Sequence, residues 1–191
     1  MSVSPLKPAI FFDRDGTLIE DRGYISSASD IVFHEDTLSA LEKLENHFFL
    51  FIVTNQGGVG AGYLSDQDVE KVNQHIVETL ARAGVTISAV YVCPHTRDQC
   101  CECIKPKPYF VLKASQEFNL DLSRSFVVGD HPHDMELSQQ VGATGIYLLT
   151  GHGRKHVEEI ITAGQAFVAR NLNEAVTWIL GKHGSDPQCP G

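Results

Sequence analysis

Ala9-Ile10-Phe11-Phe12-Asp13-Arg14-Asp15-Gly16-Thr17-Leu18 is the stretch that decides the fold of this chain. An apolar run stops abruptly at two carboxylates set two residues apart. Such an unbroken run suits a strand covered on both faces, because neither face of a buried parallel strand tolerates a polar side chain. Asp13 and Asp15 then stand at the strand's carboxyl end, where open α/β sheets bind their ligands. Gly16 permits the sharp turn that follows. Two carboxylates this close, in poor contact with water, stay ionised together only with a cation between them, so the spacing points to a divalent metal. Asp-Arg-Asp-Gly also has the composition of an ordinary surface turn. The rest of the chain decides between these readings.

The pattern recurs. Residues 48–53 form a second apolar run, tipped by Thr54-Asn55-Gln56-Gly57-Gly58, a hydroxyl, two amides and exposed backbone N–H groups suited to phosphate oxygens. Residues 85–92 and 125–128 give a third and fourth strand, the latter tipped by Gly129-Asp130-His131-Pro132-His133-Asp134. Residues 145–149 and 167–169 complete the strands. Helical periodicity fills the intervals at 37–45, 65–84, 108–118, 134–141, 157–163 and 172–180. In the longest, Val69, Val72, Ile76, Val77, Leu80 and Ala83 form one core stripe behind Ser65 as N-cap. Alternating strands and helices predict an α/β fold: a Rossmann-like parallel sheet with helices on both faces. Right-handed crossovers bring the strand ends to one edge, so Asp13, Thr54, Lys105 and Asp130 converge there. One domain is expected over 1–181, without a large cap domain, followed by a flexible tail over 182–191.

Between the third strand and the next helix lies Cys93-Pro94-His95-Thr96-Arg97-Asp98-Gln99-Cys100-Cys101-Glu102-Cys103. Cys93 with His95, and Cys101 with Cys103, make two pairs of equal spacing that could close a tetrahedral zinc site. Cys100 competes with Cys101 for the third position, but the matching pairs favour Cys101. A loop at 93–103 with no apolar residue between the pairs has no core of its own, so the zinc is read as a structural clip. Lys105, between residues that the prolines stiffen, is the cation to offset the carboxylates and a substrate phosphate. Magnesium prefers oxygen ligands, and Asp13, Asp130 and the backbone carbonyl of Asp15 make a partial shell for it. Asp134 is placed to orient Lys105 or a metal-bound water. His131 and His133 are expected to be exposed rather than zinc ligands.

Composition narrows the class. The 191 residues carry 15 basic and 24 acidic side chains, net charge -9, with no basic run, which argues against nucleic acid or an anionic membrane as partner. No stretch is apolar enough to span a bilayer, and the start lacks a secretory apolar core. Four of five cysteines cluster within eleven residues, fitting a reducing compartment with a metal site. A cytoplasmic protein, taken as a monomer, is therefore expected.

Asp13-Arg14-Asp15-Gly16-Thr17-Leu18 resembles the nucleophile motif of the haloacid dehalogenase superfamily of phosphohydrolases. The resemblance implies that Asp13 attacks phosphorus and that Asp15 is general acid and base, splitting one difficult hydrolysis into two easier steps through an aspartyl-phosphate. It also implies Thr54 as phosphate ligand and Lys105 as the third motif. Cys-Pro-His, Cys-x-Cys and Lys-Pro together are similar to the heptose 1,7-bisphosphate phosphatases and their histidinol-phosphate phosphatase relatives. That implies removal of the 7-phosphate of D-glycero-D-manno-heptose 1,7-bisphosphate, in lipopolysaccharide or glycan synthesis. Asp21-Arg22-Gly23-Tyr24 matches that group's substrate loop. The implied substrate-binding set is Arg14, Asp21, Tyr24, Thr54, Asn55, Gln56, Gly57, Ile104, Lys105 and His131. Two positions depart from the pattern: Ile104 stands where relatives carry Arg, and His131 where they carry Lys or Arg. An aliphatic side chain cannot make the bidentate contact of Arg to phosphate, leaving a protonated His131, or Arg14, Arg97 or Arg154, to compensate. The alternatives are a histidinol-phosphate or other sugar-phosphate phosphatase, or a non-catalytic phosphosugar-binding module.

Overall fold

The computed structural model describes residues 6–164 and 166–184. β1 (Ala9–Phe12) is buried throughout. Its two-residue pleat sends Ile10 and Phe12 into one apolar layer and Ala9 and Phe11 into another, which is why no polar residue could interrupt it. After it come α1 (Thr37–Glu42), β2 (Phe49–Asn55), α2 (Gly57–Gly60), α3 (Asp66–Arg82), β3 (Ile87–Cys93), α4 (Tyr109–Phe118), β4 (Phe126–Gly129), α5 (Pro132–Val141), β5 (Thr144–Leu148), α6 (Gly153–Ala163), β6 (Ala166–Ala169) and α7 (Leu172–Gly184).

All six strands pair in parallel, in the order β3-β2-β1-β4-β5-β6. Leu41 of α1, Val72, Ile76 and Leu80 of α3, and Val176 and Ile179 of α7 cover one face. Val111 of α4 and Leu137 of α5 cover the other, with Ile160 of α6 against Met135 and Tyr147 beside them. The expected parallel sheet with helices on both faces is therefore the observed fold. Among the described residues no large inserted domain stands over the strand ends. The chain builds outward from β1 to β3, then returns to β4 on the other side of β1. That reversal opens a crevice at the strands' carboxyl ends.

Element boundaries differ from expectation for local reasons. β2 runs on through Thr54 and Asn55, which pair with Val92 and Cys93. The helix expected at 37–45 ends its regular part at Glu42 and continues as turns to a buried Leu44. α3 is capped by Ser65 and Asp68 reciprocally, and its Val77 and Ala83 are only half-buried, at the margin of the stripe. α6 begins at Gly153, four residues earlier than expected. A β-carbon there would collide with the Leu148 carbonyl, so glycine permits the close entry. α7 continues through Gly181 to Gly184, past the expected helix end; the remainder of the expected tail, with Cys189, lies outside the described residues.

Candidate active site

Asp13 follows β1, Thr54 lies on β2 and Asp130 follows β4, so three neighbouring strands deliver them to one crevice. The backbone N–H of Asp13 donates to the Val128 carbonyl at 2.9 Å, tying the reactive tip to the next strand. Lys105 arrives from the loop after β3. Its Nζ lies 2.6 Å from Asp13 Oδ1 and 2.7 Å from Asp134 Oδ1. Asp134 also accepts from the His131 backbone N–H as part of the cap of α5, so that helix start holds the lysine in place. Asp130 Oδ2 accepts from the His152 backbone N–H at 2.6 Å. Asp130 packs directly on Gly16, whose φ of +79° suits glycine and where any side chain would strike the carboxylate.

Asp15 is held differently. Arg14, fully buried, brings Nη2 to 2.9 Å from Asp15 Oδ2 and donates through Nη1 to Asn73 Oδ1 of α3 at 2.9 Å. Gln56 Nε2 donates to Asp15 Oδ2 and to Thr54 Oγ1, both at 2.8 Å. Burial pushes the Asp15 carboxyl above its ordinary value against the pull of Arg14, which favours a protonated acid. Burial likewise raises Asp13, offset by Lys105. Burial and the neighbouring Asp13 push Asp130 up to about 8. Burial alone would lower Lys105, but the Asp13 and Asp134 carboxylates outweigh it and hold the ammonium charged.

Oxygen atoms of Asp13, Asp130 and Asp134 lie within 4.8 Å of one another. Three carboxylates against one ammonium leave a surplus of buried negative charge, the condition a divalent cation relieves. Asp134 gives one oxygen to Lys105 and the other to the His131 N–H, whereas Lys105 takes only Oδ1 of Asp13, which leaves Asp13 and Asp130 as the pair that fits a hard cation.

A second donor set forms where β3 ends. Cys93 Sγ, His95 Nδ1, Cys101 Sγ and Cys103 Sγ all come within 4.8 Å of one another, with Cys93 3.0 Å from Cys103 and 3.8 Å from His95. Ligands on a tetrahedral zinc with bonds of about 2.3 Å sit roughly 3.7 Å apart, so the set fits that ion. Burial raises the Cys93 thiol strongly, so a thiolate there needs a cation beside it. Cys100 is exposed and outside the set, and it adopts a left-handed conformation at φ 50°.

The other expected site residues divide. Asp13, Asp15, Asp21, Thr54, Asn55, Lys105, Asp130 and His131 line one pocket. Asn55 directs its amide to the Lys105 backbone on both sides, 3.0 Å to N and 3.4 Å to O, and so clamps the lysine loop. Tyr24, Gly57 and Ile104 lie in an adjoining groove instead. Arg14 and Gln56 are buried beneath the pocket rather than lining it. His131 and His133 are half-buried, against the expectation of exposure, and stack at 4.2 Å. Burial pushes each down to about 4, so at neutral pH neither supplies a cation. Arg97, one of the arginines weighed as a compensating cation, also lines it, and His133 and His152 join the lining without having been expected there, His152 through a 2.8 Å pair with Asp21. Asn73 was also missed. An Asn on the apolar stripe of α3 was its one visible signal, since a buried amide requires a partner.

Comparison with known proteins agrees with this geometry. The HAD-hydrolase-like family model matches residues 102–175. A D-glycero-beta-D-manno-heptose-1,7-bisphosphate 7-phosphatase of Helicobacter pylori is 32% identical over 90% of this chain and 96% of its own. That of Pasteurella multocida is 39% identical over 68% of this chain and 74% of its own. Among solved structures, the D,D-heptose 1,7-bisphosphate phosphatase of B. bronchiseptica, complexed with magnesium and phosphate, superposes with a TM-score of 0.85 at 25% identity, covering 92% of this chain and 99% of the other. The crevice of carboxylates at the switch of a parallel sheet, and the relatives that match most of the chain, lead to one conclusion: the chain is a phosphatase and belongs to the heptose-bisphosphate phosphatase family of haloacid dehalogenase-like hydrolases.

Proposed function

We propose that the enzyme removes the 7-phosphate of D-glycero-D-manno-heptose 1,7-bisphosphate, with Asp13 as nucleophile and Asp15 as general acid and base. Asp13 forms a bond to phosphorus as the sugar oxygen leaves, and Asp15 gives that oxygen its proton. Asp15 then takes a proton from water, whose oxygen attacks phosphorus and returns Asp13 as carboxylate, releasing phosphate. Thr54 binds a phosphate oxygen, while Lys105 neutralises charge as it develops. The single observation that carries this reading is the pairing of Asp13 to Lys105 at 2.6 Å beside an Asp15 that burial tunes toward its protonated form. Relatives that match two thirds or more of the chain carry the heptose name.

Asp13, Asp130 and the backbone carbonyl of Asp15 are the proposed magnesium ligands; when bound, the ion offsets the charge of phosphate and carboxylates together. Cys93, His95, Cys101 and Cys103 are the proposed ligands of a structural zinc, supported by their convergence. No described helix is long and apolar enough to cross a membrane. The clustered, unpaired cysteines support work in a reducing cytoplasm. A second reading, another sugar-phosphate phosphatase, is favoured by Ile104 and by the low basicity of His131. Phosphate release with magnesium present tests both. Ten-fold or greater preference for the 1,7-bisphosphate over heptose 7-phosphate and histidinol phosphate, roughly 1.4 kcal/mol of transition-state discrimination, with loss of release in Asp13→Asn, is the expected result. Equal or better turnover of a monophosphate rejects the heptose bisphosphate and leaves the second reading.

A further inference from the structure

The pocket over Asp13 encloses about 200 Å³. That holds a phosphoryl group and its nearest carbons, whereas whole-ligand sites usually run to at least about 300 Å³. The rest of a substrate must lie in the adjoining groove, which shares Asn55 and Arg97 with the pocket. One wall of the groove is Tyr24, stacked on Tyr63 at 4.9 Å and seated on Gly58, where any side chain would displace it. Ile104 offers an uncharged surface on the same groove.

The cations nearby are mostly engaged. Arg14 is buried against Asp15 and Asn73, and Lys105 lies between Asp13 and Asp134. Lys107 donates to the Cys101 carbonyl and pairs with Glu102. Arg154 donates to the Leu149 carbonyl and does not line either cavity. Arg97 differs from all four. It borders both cavities, and its Nη2 rests 2.9 and 3.0 Å from the two ring nitrogens of His133, a partner that is not an anion. Ion pairs among the described residues do not include it. Its position is also fixed from behind: Arg97 opens a short helical turn between the two Cys/His pairs, and the Thr96 N–H donates to Gln99 Oε1 at 2.8 Å.

We propose that Arg97 reads a second anionic group on the substrate, such as a distal phosphate, and so sets the preference of this enzyme for esters that carry two anionic groups. Its planar guanidinium suits bidentate contact with phosphate or carboxylate, and His133 holds it without neutralising it. The proposal rests on the reading above only in that a phosphate ester occupies the Asp13 pocket.

The test compares kcat/KM for three pairs of esters, each with and without a second phosphate: heptose 1,7-bisphosphate and 7-phosphate, fructose 1,6-bisphosphate and 6-phosphate, and glucose 1,6-bisphosphate and 6-phosphate. The parent enzyme should favour the bisphosphate member of at least one pair. Arg97→Ala should cut that ratio ten-fold or more, chiefly through KM, and Arg97→Lys should recover part of it. Asp98→Ala, at an exposed neighbour outside both cavities, should leave the ratio as it is. Calorimetric binding of the same pairs to the Asp13→Asn protein reads the ratio even where turnover is absent. Preference confined to the fructose or glucose pair and lost in Arg97→Ala rejects the heptose substrate and upholds Arg97. An unchanged ratio in Arg97→Ala, equal loss on both members, or no preference in any pair for turnover and binding alike overturns the role of Arg97.

Discussion

Arg14 is the residue whose environment says most about Asp15. A guanidinium with 1% exposure is stable only if its N–H groups are matched, and here Asp15 and Asn73 match them. Truncating Asn73 leaves a buried charged donor unpaired, a loss of about 2 to 3 kcal/mol. Asn73→Ala should therefore lower the urea midpoint by that stability. It should also cut kcat by about ten-fold, about 1.4 kcal/mol, because Asp15 loses its fixed orientation. Asn73→Asp should restore much of the stability, since a carboxylate still accepts from Arg14. A kcat unaffected in the alanine variant would show that Arg14 and Gln56 hold Asp15 in place without Asn73. None of this was legible in Asp-Arg-Asp-Gly itself. The motif shows Asp15 but not its support, because the Arg14 partner lies 59 residues away on another element.

Elements show where local sequence suffices. Ser65 accepts from the Asp68 backbone N–H, and Asp68 accepts from the Ser65 N–H at 3.0 Å, so the start of α3 was readable from three residues' spacing. Ser65→Ala should cost about 1 kcal/mol. The hydrogen bonds from Ser65 hold the Asp68 carboxyl below its ordinary value. A depressed acid stabilises the fold above its unfolded pKa, and that contribution fades as pH falls through the folded value. The gap between parent and Ser65→Ala should therefore be widest near neutral pH and narrow below about pH 4; thermal unfolding at pH 7 and pH 3 checks it. The loop 93–103 was readable for another reason. Its Cys and His spacing marked out the four donors that converge, and Cys100 lies outside their group, the arrangement the matched pairs favoured. Removing the proposed zinc with a strong chelator should speed hydrogen exchange over 93–105 while β1 and β4 stay protected, with kcat falling because Lys105 loses its anchored approach. Protection that survives metal removal would rule out the clip. By contrast, α2 was not foreseen. Gly57–Gly60 reads as loop composition, and its single turn forms because Gly60 N–H reaches the Pro94 carbonyl on the next loop, a tertiary bond no local pattern announces.

At the scale of the whole molecule, the strand order explains why distant motifs form one site; the strands themselves were legible because buried parallel strands leave continuous apolar runs, whereas their order was not. The pair of His152 with Asp21 was not legible, since it joins two loops at the rim that only the finished sheet brings together. Charge works at this scale too. A chain of net charge -9 repels an anionic ester at long range, so capture depends on cations placed at the site rather than on steering by the molecule's field. Lys105, with 5% exposure, is shielded from salt, while long-range repulsion is screened beyond roughly 8 to 10 Å at ionic strengths of about 0.1 to 0.15 M. Raising ionic strength from about 0.01 to about 0.1 M shortens the Debye length from roughly 30 to 10 Å. It should therefore raise kcat/KM modestly, by less than about three-fold, with kcat nearly constant. A steep fall over the same range would mean that exposed cations at the mouth, Arg97 first among them, dominate encounter. Repeating the series with Arg97→Ala separates the two, because the variant should lose any falling component and keep the rise.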